Sequence, residues 1–238
     1  MFQQGMLPLS RWGYGRRNLS FDNSVLSRAG FISFIQQHAP KVNRSATCLG
    51  WDHPMYVRKL VPNCDAQLAW SFKFAAASPV RLQLEKRIVR ADLRRGFAPD
   101  ELPPALPKFN LILCNQVFEH VSRPREAALS LHSMLAPGGL LFWTAPFAEI
   151  YHRAPEDFLR YTCSGAAELL SSVGFHVSVV QKVGNTQLTS GWLMGFGAGD
   201  FRAELIQDKL VSNITDSKAL DRDLQESLYI SCALVCRK

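Results

Sequence analysis

Residues Phe109–Cys114, FNLILC, form a short and nearly unbroken apolar run. A surface helix would interleave polar residues at its period, and a half-exposed strand would alternate. A short continuous run bounded by polar residues marks a strand covered on both faces. The next thirty residues constrain its partner. Pro124 suits a helix's first turn with Ser122 as its expected cap, and Ala128, Leu131, His132 and Leu135 mark the inner face. Pro137-Gly138-Gly139 ends that helix, and Leu140–Ala145 is a second apolar strand. Strand, helix and strand in this order imply parallel neighbours joined by a right-handed crossover. The expected class is α/β, with helices on both faces of a mainly parallel sheet.

The rest of the chain alternates in the same way. Helical spacing runs from Phe21 to His38 and stops at Pro40. Strands are expected at Ala46–Trp51, around Ala66–Trp70 and at Arg87–Leu93, with a helix from Pro54 to Val61. Four prolines make residues 96–108 a loop. Later come a helix at Cys163–Val173, a strand at Phe175–Val183, helical stretches at 201–211 and 217–226, and a closing strand at Leu228–Cys236. The expected organisation is an N-terminal extension and helix over residues 1–40, then one domain over 41–238.

Composition narrows the class of function. With 238 residues, 47% hydrophobic and 20% charged, the chain can bury one substantial core without staples. No apolar stretch is long enough for a membrane span. The net charge of +7 is uneven, +9 over residues 1–100 and −2 over 101–238, and the basic residues are scattered in doublets such as Arg58-Lys59 and Arg94-Arg95. No stretch interleaves aromatic and basic residues as a strand-binding platform would, so nucleic acid is not the expected partner. The six cysteines show no C-x-x-C and no zinc spacing; reduced thiols in an intracellular protein, and no metal centre, are expected. Residues 1–21 carry Arg11, Arg16 and Arg17 and no acid, but lack the apolar core of a secretory signal. A cytoplasmic location is expected, with an organellar transit peptide as the alternative.

Three ordered motifs carry a family likeness: FNLILCNQVFEHV (109–121), RPREAALSLHSMLAPGGLLFWTAPF (123–147) and HRAPEDFLRYT (152–162). Together they resemble the class I S-adenosylmethionine-dependent methyltransferases, and within them the type 11 methyltransferase domain group. The resemblance implies a Rossmann-like seven-stranded sheet whose last strand is antiparallel, and S-adenosylmethionine as cofactor. It implies methyl transfer to a small-molecule or glycan acceptor. By topology it spans residues 46–180, and it is most specific over 109–174.

The same resemblance assigns the cofactor residues unevenly. The first-strand turn is ATCLGWDHP (46–54): Gly50 is present, Leu49 replaces the family's acid, and Asp52 is the shifted substitute. The second strand lacks its ribose-binding acid, since Ala69, Trp70 and Ser71 stand there. Asp92 and the amide of Leu93 match the adenine-side positions, and Asn115 and Gln116 follow the fourth core strand where the family lines the pocket. Each could equally be local structure: Gly50 and Asp52 a turn, Asp92 a cap, Asn115 a strand-end partner.

On the acceptor side, Glu119 and His120 lie just past that strand, and His152, Asp157 and Arg160 come after the fifth. His152 is the expected base, with Asp157 orienting it or the substrate and His120 the second candidate. Asp157 and Arg160 could also be a local ion pair on a helical turn, and Glu149 is expected in solvent. The missing acids support a second class of function, a non-catalytic methyltransferase-like scaffold that binds a partner.

Overall fold

The computed structural model describes residues 26–39, 46–51, 57, 60–61, 64, 69–76, 79–153, 156–197, 201, 211–213 and 228–238. Among the described residues nine strands form one sheet: β1 (Cys48–Trp51), β2 (Trp70–Phe74), β3 (Arg81–Gln83), β4 (Ile88–Ala91), β5 (Phe109–Asn115), β6 (Leu135–Pro146), β7 (His176–Val183), β8 (Val211–Asn213) and β9 (Ser231–Arg237). Their order is β3-β4-β2-β1-β5-β6-β9-β7-β8. The pairs β4–β2, β2–β1, β1–β5 and β5–β6 are parallel. β9 runs antiparallel between β6 and β7. The expected seven-stranded sheet is therefore present, and the short strands β3 and β8 extend its edges, each antiparallel to its neighbour.

Alternation along the inner strands divides the core into two clusters. In β5, Ile112 and Cys114 face α2 (Pro124–Met134) and α3 (Cys163–Ser171), whose Ala127, Leu131, Ala166 and Leu170 are fully buried. Leu111 and Leu113 join the other cluster, with Phe31, Phe34 and Ile35 of α1 (Leu26–His38) and Leu188 and Trp192 of α4 (Thr186–Leu193). Each buried Leu, Ile or Phe among them contributes about 1.5–3 kcal/mol, so the sheet is held firmly from both sides. α1, the helix expected to follow the N-terminal extension, packs into this core.

Local chemistry explains where elements stop. Gly138, at φ +73°, turns the chain into the apolar part of β6, and a Cβ on Gly139 would lie 2.9 Å from the carbonyl oxygens of Ala136 and Phe109. Lys238 reaches back so that its Nζ donates to the carbonyls of His132 and Leu135 at the end of α2, where cations are favoured.

Several expectations are corrected. The second strand lies at 70–74, because its parallel register pairs Leu49 with Trp70 and Trp51 with Phe72. Ser122 does not cap α2; Arg123 occupies that position, and Ser122 Oγ donates to the carbonyl of Arg94. No helical turn forms at 157–160, whose amides are drawn elsewhere: those of Phe158 and Leu159 donate to the carbonyl of Glu119. Cys48 is joined to Cys64 and Cys163 to Cys232, in place of the expected reduced thiols. The fold brings each pair to Cα separations of 6.0 and 5.2 Å, within disulfide range, which sequence spacing does not reveal. Cys114 and Cys236 are free and buried. Most of the expected helices at 54–61, 201–211 and 217–226 lie outside the described residues.

Candidate active site

The sheet reverses its order between β1 and β5: the chain builds outward through β2 and β4, then returns to place β5 on β1's other side. Open α/β sheets hold ligands beyond the carboxyl ends of strands at such a point. Here those ends are Trp51, Asn115 and, one strand further, Pro146.

The end of β5 is tightly specified. Gln116 takes a left-handed conformation, φ +50°, unfavourable for a residue with a Cβ. Hydrogen bonds fix it there. Its amide donates to the Thr144 carbonyl at 3.0 Å, and its side-chain Nε2 donates to Thr144 Oγ1 and Ser231 Oγ at 3.3 and 3.2 Å. The buried Thr144 hydroxyl in turn donates to Asn115 Oδ1 at 2.5 Å. Asn115 and Gln116 are thus aligned as a pair by β6 and β9. Thr144 and Ser231 were not foreseen; Thr144, the polar residue in the apolar run LLFWTAP, is the one visible signal.

On the other side of β1, Gly50 lies inside the sheet, opposite Ser71 and Leu113. Asp52 lies outside the described residues. Trp51 stacks on Phe72 with ring centroids 4.1 Å apart. β2 ends in Lys73 and Phe74, so no acid stands at its carboxyl end. Asp92 follows β4. Its Oδ1 accepts from the amide and Nε of Arg94 at 3.0 and 2.9 Å, and its Oδ2 accepts from an Arg94 terminal nitrogen at 2.7 Å. That fork holds the Asp92 carboxyl below the usual carboxylate range, against the opposing effect of burial. Leu93 is buried in the core beneath. The Arg94 guanidinium lies 4.6 Å from the Phe74 ring centroid.

The third group lies past β5. Phe118, in the 3-10 turn Phe118–His120, is fully buried and meets Trp143 and Tyr161 edge-on, at 5.4 and 6.3 Å between centroids. Such pairs add about 0.5–1.5 kcal/mol each beyond burial. The Tyr161 hydroxyl donates to the Phe118 carbonyl. This anchor turns Glu119 inward, leaving its side chain 1% exposed, with neither carboxylate oxygen hydrogen-bonded among the described residues. Burial pushes its carboxyl up to about 8, with Arg160 opposing.

Two histidines close over that carboxyl. His120 Nε2 lies 3.7 Å from Glu119 Oε1, while its Nδ1 is 2.5 Å from the carbonyl of Glu156. His152 Nδ1 faces the Ile150 carbonyl at 3.1 Å and Asp157 Oδ2 at 3.7 Å. The two imidazoles meet at 5.1 Å, nearly perpendicular. A carbonyl only accepts, so each Nδ1 carries the proton and each Nε2 keeps its lone pair in the neutral ring. Burial lowers the pKa of His120, favouring that neutral form.

Asp157, 1% exposed in its side chain, holds this arrangement. It accepts the amide of His152 at 2.9 Å and the fork of Arg160, which also donates to the Ile150 carbonyl at 3.1 Å. Burial opposes its charge, but Arg160 and the His152 amide outweigh it and lower its pKa. Glu149, expected in solvent, instead accepts from the Ile150 amide and from Trp192 Nε1, each at 3.0 Å.

A family model for a methyltransferase domain matches residues 56–180. No curated protein matches the chain. Among solved structures, an S-adenosylmethionine-dependent methyltransferase from Thermotoga maritima is similar at TM-score 0.51 and 13% identity, over 90% of this chain and 91% of that one. The 1,6-didemethyltoxoflavin-N1-methyltransferase of Burkholderia thailandensis, solved with S-adenosylhomocysteine, gives 0.50 and 11% over 91% and 79%. An S-adenosylmethionine-dependent methyltransferase from Archaeoglobus fulgidus gives 0.50 and 11% over 87% and 92%. At these identities the likeness is one of fold.

Proposed function

This chain belongs to the methyltransferase domain family, and from that premise we propose that it transfers a methyl group from S-adenosylmethionine to a small-molecule or glycan acceptor at the carboxyl ends of β1, β4, β5 and β6. One observation carries the reading: hydrogen bonds from β6 and β9 hold Asn115 and the left-handed Gln116 at the sheet's reversal point, beside the buried Glu119–His120 pair.

The cofactor fits this edge in part. On the adenine side, Asp92 accepts three hydrogen bonds from Arg94, and a carboxylate has about four acceptor positions, so one is left for an exocyclic amino group. On the ribose side, β2 ends in Phe74 where a carboxylate would bind two hydroxyls. Gly50, Asp92, the Leu93 amide, Asn115 and Gln116 are the residues that would hold it, with Asp52 at the turn after β1. When bound, the cofactor supplies an electrophilic methyl group for in-line displacement.

The chain's own groups then act on the acceptor. Glu119, His120 and His152 form the acceptor side. His152 is placed to take the acceptor's proton at Nε2, because its Nδ1 is committed to the Ile150 carbonyl and Asp157 lies beside it. Asp157 and Arg160 position the segment that carries His152. Positioning of this kind supplies much of the rate in a two-substrate transfer.

The experiment is transfer of labelled methyl from S-adenosylmethionine into fractionated small molecules and glycans. Label appearing with the wild-type chain and lost with His152→Ala supports the reading. Bound cofactor with no transfer into any fraction replaces it with the second reading, a non-catalytic partner-binding relative, which the missing ribose acid and the Arg94-occupied Asp92 favour.

A further inference from the structure

We propose that Glu119, His120 and His152 form a binding site for one divalent d-block cation of the zinc class. One donor atom from each of the three lies within 4.8 Å of the others. Bonds of about 2.1 Å to a tetrahedral ion would place such donors roughly 3.4 Å apart, so small side-chain rotations close the set.

Three features single this cluster out. First, the Glu119 carboxylate is buried yet has no hydrogen-bond partner among the described residues, a costly arrangement that a cation would relieve. Second, both imidazoles commit Nδ1 to a backbone carbonyl. His120 gives its Nδ1 proton to the Glu156 carbonyl, and His152 gives its own to the Ile150 carbonyl with Asp157 beside it. Metal-bound histidines commonly donate their second nitrogen to a carbonyl or carboxylate in this way, leaving Nε2 for the ion. Third, two imidazoles and one carboxylate suit zinc, cobalt or iron and disfavour calcium and magnesium, which take oxygen ligands. Sequence spacing hides the set, because Glu119 and His120 are adjacent while His152 comes from the loop after β6.

Three protein donors leave at least one position open, as at catalytic sites. The ion's use in transfer rests on the function proposed above. A bound ion would lower the pKa of an acceptor hydroxyl coordinated there; His152 Nε2 is the base in the metal-free protein and a ligand in the metal-bound one.

The test uses the full chain, stripped with chelator and titrated with cobalt(II), read by visible absorption and displaced by zinc(II). The expected result is one saturable equivalent, with affinity falling about 100-fold or more in Glu119→Gln and in His152→Ala. His152 is partly exposed, so that variant keeps the fold even if Glu119→Gln does not. No saturable wild-type binding, or binding unchanged in folded His152→Ala, overturns the proposal. S-adenosylhomocysteine binding is measured in parallel: cobalt without that ligand keeps this site and removes the proposed function, and the converse result removes only this site.

Discussion

His120, just beyond β5, and His152, in the loop after β6, meet edge to face with ring centroids 5.1 Å apart. Each commits its Nδ1 to a backbone carbonyl, and Glu119 is buried beside them. Two loops from neighbouring strands thus assemble a partly sheltered corner at the carboxyl edge of the sheet.

Removing His152 tests that corner kinetically. His152→Ala should lower turnover about 10²–10⁴-fold while leaving S-adenosylhomocysteine affinity unchanged, because the residue lies on the acceptor side. Equal loss of both would make it structural.

Asp92 gives a pH dependence with a definite sign. Arg94 lowers its folded pKa, so its contribution is complete above the ordinary aspartate value and lost as pH falls through the depressed folded value. Denaturant melts should show Asp92→Asn losing about 1 kcal/mol or less near neutral pH and nothing in strong acid, below both values. An equal loss at both would contradict the ion-pair account.

Gly96 seats the loop that carries Asp92. Its φ is +70°, and an added Cβ would lie 2.5 Å from the Glu126 backbone carbon in α2. Gly96→Ala should cost about 2–3 kcal/mol in chemical denaturation and weaken cofactor binding with it. An unchanged midpoint would refute this placement.

The cysteine pairs predict a response to reductant. Cys163 and Cys232 are separated by 69 residues, so opening that link should cost about 4 kcal/mol and lower the melting temperature by roughly 10 °C. Identical melts with and without reductant would mean that the thiols are free.

The parts legible in the sequence were those where one local signal dominated. FNLILC announces β5 because both of its faces are covered, and Pro124 marks the start of the following helix. That helix ends at Met134, whereas Pro137-Gly138-Gly139 lies inside β6 and Leu135, expected on the helix, pairs there with Phe109. β2 was misplaced because its position is set by pairing with β1 and not by the alternation at 66–70. β3, RLQ at the sheet's edge, buries little and carries no apolar pattern. α4 was missed although Asn185 caps it by accepting from the Leu188 amide, a signal present in the sequence. At the site, residue types were legible and their partners were not. The occupation of Asp92 by Arg94, the burial of Glu119 and the Thr144 hub all depend on contacts made across the fold.

The proposed methyl transfer depends on this edge binding the methyl donor. Isothermal titration of the full chain with S-adenosylhomocysteine, alongside Asp92→Ala, decides that point. The expected isotherm has one site, about tenfold or more weaker than in a relative carrying the ribose acid, with affinity falling further in Asp92→Ala. The absence of both heat and thermal shift at millimolar ligand would refute donor binding here.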